Sequence, residues 1–514
     1  MAEHRHVNPW IVAIAVMFGT FMEVLDTTVV NVSLPHIAAT MSATIDEATW
    51  VLTSYLVANA IILPMTGWLA STFGRKWLLM ISVTGFTISS FLCGIAPNLG
   101  SLIAFRVMQG ATGGALQPLS QAILLESFEP HERGKAMGFW GLGIVVAPMV
   151  GPVLGGWLTE TYSWRWIFYI NLPVGLASIV MTQLFIFDPP YLRRVAERID
   201  YWGIGMLVVG IGALQIVLDK GQEADWFAST SILTLSIVSA VTLIVLIVHE
   251  LTTEHPIIDL RVFKERSYAT GVFLMTMLGF VLYGSMVLVP VMLQTLFGYP
   301  SMQAGIAVAP RGIGSLCMMP IVGYLTGKMD VRKLLAVGLS VAGITLIWLG
   351  QLNLQAGYWD VFWPQLLQGT GMALTFVPLT TATMQLIRPE RMGYATSLFN
   401  LMRNIGGSVG IAVTGTMLGR QRQVNASLLG EHISIYDPGT RMMVEQLKDR
   451  FMAAGADAVT ATDRAYAALH GMLMQQASIV SFVGIFRLLG GIFLILIPLI
   501  MLMRRPKGRP AAAR

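Results

Sequence analysis

The chain has 514 residues, 55% of them hydrophobic and only 12% charged, with a formal net charge of +5. Soluble domains carry about 25% charged residues, and a soluble chain this long divides into several domains with polar surfaces. The composition therefore excludes a soluble protein and implies a polytopic membrane protein. The basic residues fall mainly in short loops between apolar runs, which is a topogenic pattern, and no nucleic-acid partner is expected.

A spanning helix needs roughly 20 apolar residues. Runs of this kind are expected to begin near Trp10, Trp50, Trp77, Leu102, Ala136, Trp166, Trp202, Ile232, Tyr268, Met302, Leu334, Asp360, Tyr394 and Ile479, about fourteen in all. The N-terminus leads straight into the first run with no small-residue cleavage pattern, so this run is expected to stay in place. Cys93 and Cys317 each sit inside an apolar run, far apart and without ligand spacing. They are expected to be packing residues, with no disulfide, metal or cofactor implied.

The first run contains Glu23, Asp26, Thr27 and Asn31. A carboxylate at bilayer depth costs about 2.5–3.5 kcal/mol or more, and desolvation favours its neutral form. Asp26 is thus a candidate proton carrier, with Glu23 one turn away as an accessory acid. The plainer alternative is an acid that only pairs with a buried arginine and ties two helices together. Further on, Gly67-Trp68-Leu69-Ala70-Ser71-Thr72-Phe73-Gly74-Arg75-Lys76 links the second and third runs: its glycines allow a tight loop, and its basic pair can cap helices or simply set topology. Arg106 lies inside the fourth run, where Asp26 or Glu23 is its natural partner, either as a fixed ion pair or as a pair that protonation releases. Gln109 and Gln117 lie on the same run. In the fifth, Pro148, Gly151, Pro152, Gly155 and Gly156 bend the span and let backbones approach, which simple helix packing also explains. Arg311, Arg403 and Arg487 fall in or near later runs, with Asn404 beside Arg403; they can meet an anionic substrate, pair with the acids, or snorkel. Glu126, at the end of the fourth run, is expected to be solvated. The 31 methionines fit ordinary core filling better than a dedicated adaptable pocket.

Arg75 and Lys76, Arg133 and Lys135, Arg193, Arg194 and Arg198, then Arg261, Lys264 and Arg266 occupy one alternating set of loops. Lys328, Arg332 and Lys333, Arg388 and Arg391, and the tail with Arg504, Arg505 and Lys507 continue it, which places both termini in the cytoplasm. One long polar connection, about residues 419–477, falls on the outer side and is helix-compatible. The two ends of the chain also repeat. Pro64-Met65-Thr66-Gly67-Trp68-Leu69 answers Pro320-Ile321-Val322-Gly323-Tyr324-Leu325, and Met108-Gln109-Gly110 answers Leu367-Gln368-Gly369, at an offset of about 260 residues. The expected architecture is all-helical: a six-helix bundle over 1–190, two insert helices over 191–260, and a second six-helix bundle over 261–514, with a binding site between the halves.

Taken together, these residues resemble the major facilitator superfamily, specifically its fourteen-span drug/proton antiporters of the EmrB/QacA type, and the resemblance covers essentially the whole chain. Leu25 to Val32 with Leu34-Pro35 looks like that family's first-helix motif, Gly67 to Lys76 like the superfamily loop motif, and Arg106 with Gly110 like the fourth-helix motif. Gly151-Pro152 with Gly155-Gly156 is similar to the antiporter signature, and Trp164-Arg165-Trp166-Ile167-Phe168-Tyr169-Ile170-Asn171-Leu172-Pro173 is typical of the subfamily. The loop motif departs from the pattern in having Ser71 where an Asp is usual and Thr72 where an Arg is usual, so a charge-relay role cannot be carried over there. The resemblance implies a proton-coupled exporter of lipophilic or amphipathic drug-like compounds in the cytoplasmic (inner) membrane, with Asp26, Glu23 and Arg106 handling the proton. Thr27, Asn31, Gln109, Gln117, Arg311, Arg403 and Asn404 are then candidates for the substrate cavity, and Gly67, Gly74, Arg75, Lys76, Pro148, Gly151, Pro152, Gly155 and Gly156 for the gating motifs. In a cell with an outer membrane it also suggests a periplasmic adaptor and an outer-membrane channel as partners. No nucleotide-binding G-x-x-x-x-G-K-[ST] and no hydrolase or metalloprotease motif occurs, so neither an ATP-driven pump nor an enzyme is expected. An importer or exporter of one metabolite or lipid on the same fold stays open.

Overall fold

Polar caps divide the apolar runs into helices. The computed structural model describes residues 8–188, 199–254, 256–434 and 436–503; Arg193, Arg194, Arg198, Arg504, Arg505 and Lys507 lie outside them. Helix α1 (Pro9–Thr40) opens at Asn8, whose side chain accepts the Trp10 N–H at 3.0 Å. Helix α2 (Ile45–Phe73) opens with a reciprocal cap between Thr44 and Glu47. Gly74 alone separates it from α3 (Arg75–Gly94), at φ +85° and ψ 155°, a conformation open to glycine. The fourth run, expected as one helix, is broken into α4 (Leu99–Gly113) and α5 (Leu116–Ser127). Gly113 and Gly114 weaken the helix there, and Pro118 has no N–H to return to the Gly114 carbonyl, so it sits in the first turn of a new helix.

The chain continues through α6 (Arg133–Thr161), with Pro148 and Pro152 inside it, α7 (Trp166–Tyr169), α8 (Asn171–Phe185), α9 (Tyr201–Lys220) and α10 (Thr230–Thr252). Then follow α11 (Arg266–Leu296), α12 (Ser301–Thr326), α13 (Val331–Leu349), α14 (Tyr358–Met384), α15 (Met392–Gly430), α16 (Pro438–Ala453) and α17 (Ala458–Leu496). Regular structure among the described residues is helical throughout. The polar stretch 419–477 is itself mostly helix, made from the end of α15, all of α16 and the start of α17. Among the described residues, eleven helices are long and apolar enough to cross a bilayer, by length and composition.

The internal repeat reappears in the packing. Helix α1 lies against α6 and α8, α2 against α4, and α3 against α4 and α8; in the second half α11 lies against α15 and α17, α12 against α14, and α13 against α14 and α17. Matched glycines make matched close approaches: a Cβ on Gly110 would strike the Tyr55 carbonyl, and one on Gly369 the Arg311 carbonyl. Helix α9 packs across both halves, touching α2 and α15. Gln215 donates to Ser408 Oγ at 3.1 Å, Trp226 Nε1 to Thr416 Oγ1 at 2.8 Å, Thr53 to Asp219, and Lys220 to Thr49.

The halves meet along a stripe of small residues. A Cβ on Gly134 would lie 2.8 Å from the Gly323 carbonyl oxygen and one on Gly138 2.9 Å from that of Met319, while a Cβ on Gly312 would meet Met149. Gly67 approaches the Tyr394 backbone in the same way, since a Cβ on it would lie 2.7 Å from the Tyr394 Cα. Continuing the α6 stripe at helical spacing leads to Gly156, and continuing the α12 stripe leads to Gly305; nothing lies within 4 Å of a Cβ at either. The α6–α12 seam is therefore closed toward the end that carries the Gly67–Lys76 loop and has parted at the other, at Gly156 and Gly305. Replacing Gly138 by Ile is expected to prise this seam apart, lengthening the distance between spin labels at His131 and Lys328 in electron–electron resonance measurements.

Candidate functional site

The acid expected to matter most sits in a closed polar cluster within the first half. Asp26 is 1% exposed and Arg106 0% exposed. Arg106 Nη1 donates to Asp26 Oδ2 at 2.5 Å. The second carboxylate oxygen, Oδ1, accepts from Gln109 Nε2 at 3.0 Å and from Asn171 Nδ2 at 2.8 Å. Arg106 Nε is held by the Val51 carbonyl at 3.1 Å, and the guanidinium lies 4.2 Å from the Tyr55 ring centroid. Asn171 is steadied by Ser90, which in turn donates to the Phe168 carbonyl. Four helices thus converge on one carboxylate: α1 supplies it, α4 the cation, α2 a backbone oxygen and an aromatic face, and α8 an amide. The charge is compensated by directed hydrogen bonds from the protein itself, the condition under which a buried ion pair holds together.

Glu23, one turn away, has a different set of partners. Asn59 donates to Oε1 at 3.1 Å and Gln117 to Oε2 at 2.7 Å. The Gln117 oxygen accepts in turn from Arg403 of the second half, whose own Nε has no partner. One turn along α5, Gln121 accepts from Asn400 at 2.6 Å. A line of hydrogen bonds therefore runs Glu23–Gln117–Arg403 across the cleft floor, with Asn400–Gln121 beside it.

The motif loop is organised around Gly74. Asp188 takes the Lys76 N–H at 2.9 Å and lies where a Gly74 Cβ would point, while Lys76 Nζ donates to the Gln183 carbonyl at 2.7 Å. Arg75 pairs with Glu126, tying the start of α3 to the end of α5. In α6, Gly151 admits Thr28 and Gly155 admits Val29, so α1 and α6 touch closely, and Ser33 and Thr159 share a 2.7 Å hydrogen bond.

Residues 16–411 match the family model described as Major Facilitator Superfamily. The chain belongs to the Major Facilitator Superfamily. It is 38% identical over 500 residues to the "Multidrug export protein EmrB" of Escherichia coli, covering 97% of this chain and 96% of that protein. It is 42% identical over 439 residues to EmrB of Haemophilus influenzae, covering 85% and 86%. It is 38% identical over 496 residues to the "Fatty acid resistance protein FarB" of Neisseria gonorrhoeae, covering 96% of each. Among solved structures, the human organic anion transporter MFSD10 (TETRAN) has the same fold, with a TM-score of 0.62 at 12% identity, covering 96% of this chain and 100% of that one.

Within this superfamily chain, the structure brings Asp26, Arg106 and Gln109 together and holds Glu23 apart from them, on Gln117 and Arg403. Gln109 does not line open space: it is fully buried against Asp26. Thr27 spends its hydroxyl on the Val24 carbonyl, Asn31 is exposed, and Asn404 makes only a long 3.5 Å contact with Arg403. Arg311 is half-buried in α12. Arg487 is a helix cap, donating to the Gly350 carbonyl at 2.8 Å. Pro148 and Pro152 are half-buried inside α6, and Gly156 faces open space. Two expectations are corrected. Glu126 is not solvated, because the end of α5 lies beside the start of α3 and Arg75 covers it. Cys317 is exposed on α12 rather than packed, whereas Cys93 is buried next to Gln109.

Asn171, Asn59, Gln121 and Asn400 are the site residues that sequence reasoning passed over. Asn171 stood within the Trp164–Pro173 motif, where an amide in an otherwise apolar stretch was the available signal. Arg165 of that motif donates to the Gly94 and Ala96 carbonyls at 3.2 and 3.0 Å, closing the end of α3. Removing one partner of a buried pair strands the other, at a cost of about 3–5 kcal/mol. Asp26→Asn is expected to lower the melting temperature of the purified protein, and the double variant Asp26→Asn with Arg106→Gln to recover most of that loss.

Proposed function

We propose that this protein is a proton-coupled antiporter that exports lipophilic or amphipathic compounds across the inner membrane by alternating access. The observation that carries the reading is the Asp26 carboxylate, sealed from solvent and paired with Arg106 inside one half of a two-half transporter. Protonating Asp26 removes the counter-charge of a fully buried guanidinium, so the side-chain tie between α1 and α4 depends on whether the proton is present. From the outer side a proton reaches Asp26 when the cluster, sealed in the structure, loosens, and substrate leaves. Closure on the outer side and opening of the α6–α12 and α2–α15 seams then exposes the cluster to the cytoplasm, where the proton departs and substrate binds. The Glu23–Gln117–Arg403 line serves as the accessory link, because it is made only while the halves are close at that level.

The names of relatives at 38–42% identity, multidrug export and fatty acid resistance, favour outward movement of amphipathic compounds. The driving force is adequate: one proton moving down roughly 150 mV supplies about 3.5 kcal/mol, enough for a gradient of roughly 300-fold. On this reading α4 with α5, α14 and α15 also cross the membrane, giving about fourteen spans with both termini cytoplasmic. The helical excursion of α15, α16 and α17 then stands on the outer side, placed to meet a periplasmic adaptor.

In inverted vesicles with an imposed pH gradient, the wild-type protein is expected to accumulate ethidium, and Asp26→Asn to abolish accumulation at unchanged expression. Undiminished accumulation by that variant would remove Asp26 from the coupling. Arg106→Lys keeps the charge but loses the fork that reaches Asp26, Gln109 and Val51 together. Its transport rate is expected to fall by about tenfold or more, corresponding to the loss of one charge-assisted bond.

A further inference from the structure

The two halves repeat a framework but not its charges. In the first half the α4 amide Gln109 donates to a carboxylate on α1, and the cation Arg106 is compensated by that same carboxylate. In the second half the matching amide, Gln368 on α14, reaches only a hydroxyl on α11, Ser285 Oγ at 3.5 Å. The cation there comes from α12. Arg311 Nη2 makes one long bond to the Leu282 carbonyl at 3.4 Å, one turn before Ser285, and Nη1 is buried without any partner. No carboxylate among the described residues pairs with it.

The surrounding amides are equally unspent. Gln365 is 0% exposed with both its Nε2 and its Oε1 unpartnered, and Gln368, also 0% exposed, has an unpartnered Oε1. Gln365 lies one turn before Gly369, whose Cα packs against the Arg311 backbone, so the amide and the guanidinium face the same interhelix space. Position completes the argument. Arg311 is half-buried, and its neighbour Gly312 is set against Met149 of α6, between the glycine contacts of the seam and Gly305, where nothing lies close. Arg311 therefore stands at the level where α6 and α12 part, its side chain turned toward α11 and without a carboxylate partner among the described residues.

We propose that Arg311, with the Gln365 amide beside it, is an anion subsite of the substrate cavity, receiving the carboxylate or sulfonate of amphipathic organic anions. The inference deepens the exporter reading and rests on it. The guanidinium fork offers two parallel N–H donors to a planar carboxylate, a stronger and more directional contact than any neutral hydrogen bond in the cleft. A cation or a neutral compound gains nothing from it, so Arg311 sets selectivity by charge rather than by size.

The test is equilibrium binding to the full-length protein in phosphatidylcholine nanodiscs, with empty discs subtracted, using radiolabelled dodecanoate, its methyl ester and ethidium. Arg311→Gln is expected to weaken dodecanoate binding by roughly tenfold or more while leaving the ester and ethidium within about twofold of wild type. Equal losses for all three probes, or an unchanged dodecanoate affinity, would overturn the proposal. Should the Gln variant fail to assemble, Arg311→Lys carries the same test, since it keeps the charge and loses the fork: dodecanoate alone is expected to weaken, and unchanged affinity counts against the subsite. Adding phosphatidylglycerol separates a free organic anion from a lipid phosphate; displacement of dodecanoate by that lipid would reassign the site to the headgroup. A wild-type protein that exports ethidium but binds no dodecanoate sinks the anion subsite and leaves the exporter standing, whereas one that moves nothing under a pH gradient removes both.

Discussion

A carboxylate and a guanidinium shut away from water, Asp26 and Arg106, are the constraint around which the first half is arranged. Each charge alone is costly at that depth, and together they are held by hydrogen bonds from Gln109 and Asn171 and to the Val51 carbonyl. The cluster ties α1, α2, α4 and α8 to one another, a structural joint on which the proposed proton coupling rests. Arg106 Nη2 and Asn171 Oδ1 stay unpartnered within it, which leaves the cluster short of full satisfaction and poised for rearrangement.

Much of this was legible from the chain because charge in an apolar run is rare. Asp26 and Arg106 stood out for that reason alone, and the matching Gln-Gly pairs at 109–110 and 368–369 announced the repeat that the packing reproduces. Amides announce themselves less. Asn171, Asn59 and Asn400 act through partners far away in sequence, and no local spacing says which carboxylate an amide will meet. The break after Gly113 escaped notice because the run stays apolar across it; only the combined loss of helix propensity at Gly113 and Gly114 and of an N–H at Pro118 divides it. Glu126 was misjudged because its covering by Arg75 depends on how two helix ends converge.

The motif loop shows how a departure from a pattern is absorbed. Ser71 brings no charge to the start of α15 and makes only a 3.4 Å contact with the Tyr394 hydroxyl. The seam at that end relies instead on close backbone approach at Gly67, and the loop's own charges turn inward to Glu126, Asp188 and the Gln183 carbonyl. Shape, more than charge, therefore closes the cleft at this end, and the prolines and glycines of α6 let one helix serve α12 along its first half and α1 along its second.

Helix α9 lies across α2 and α15 and is pinned to both through Thr53, Thr49, Ser408 and, by way of Trp226, Thr416. The transporter's two flanks are for that reason unequal. Along one side the seam is roofed by α9, itself backed by α10; along the other α6 and α12 meet directly through their glycines. Any change in the spacing of α2 and α15 therefore strains side-chain hydrogen bonds to α9, whereas α6 and α12 meet by backbone approach.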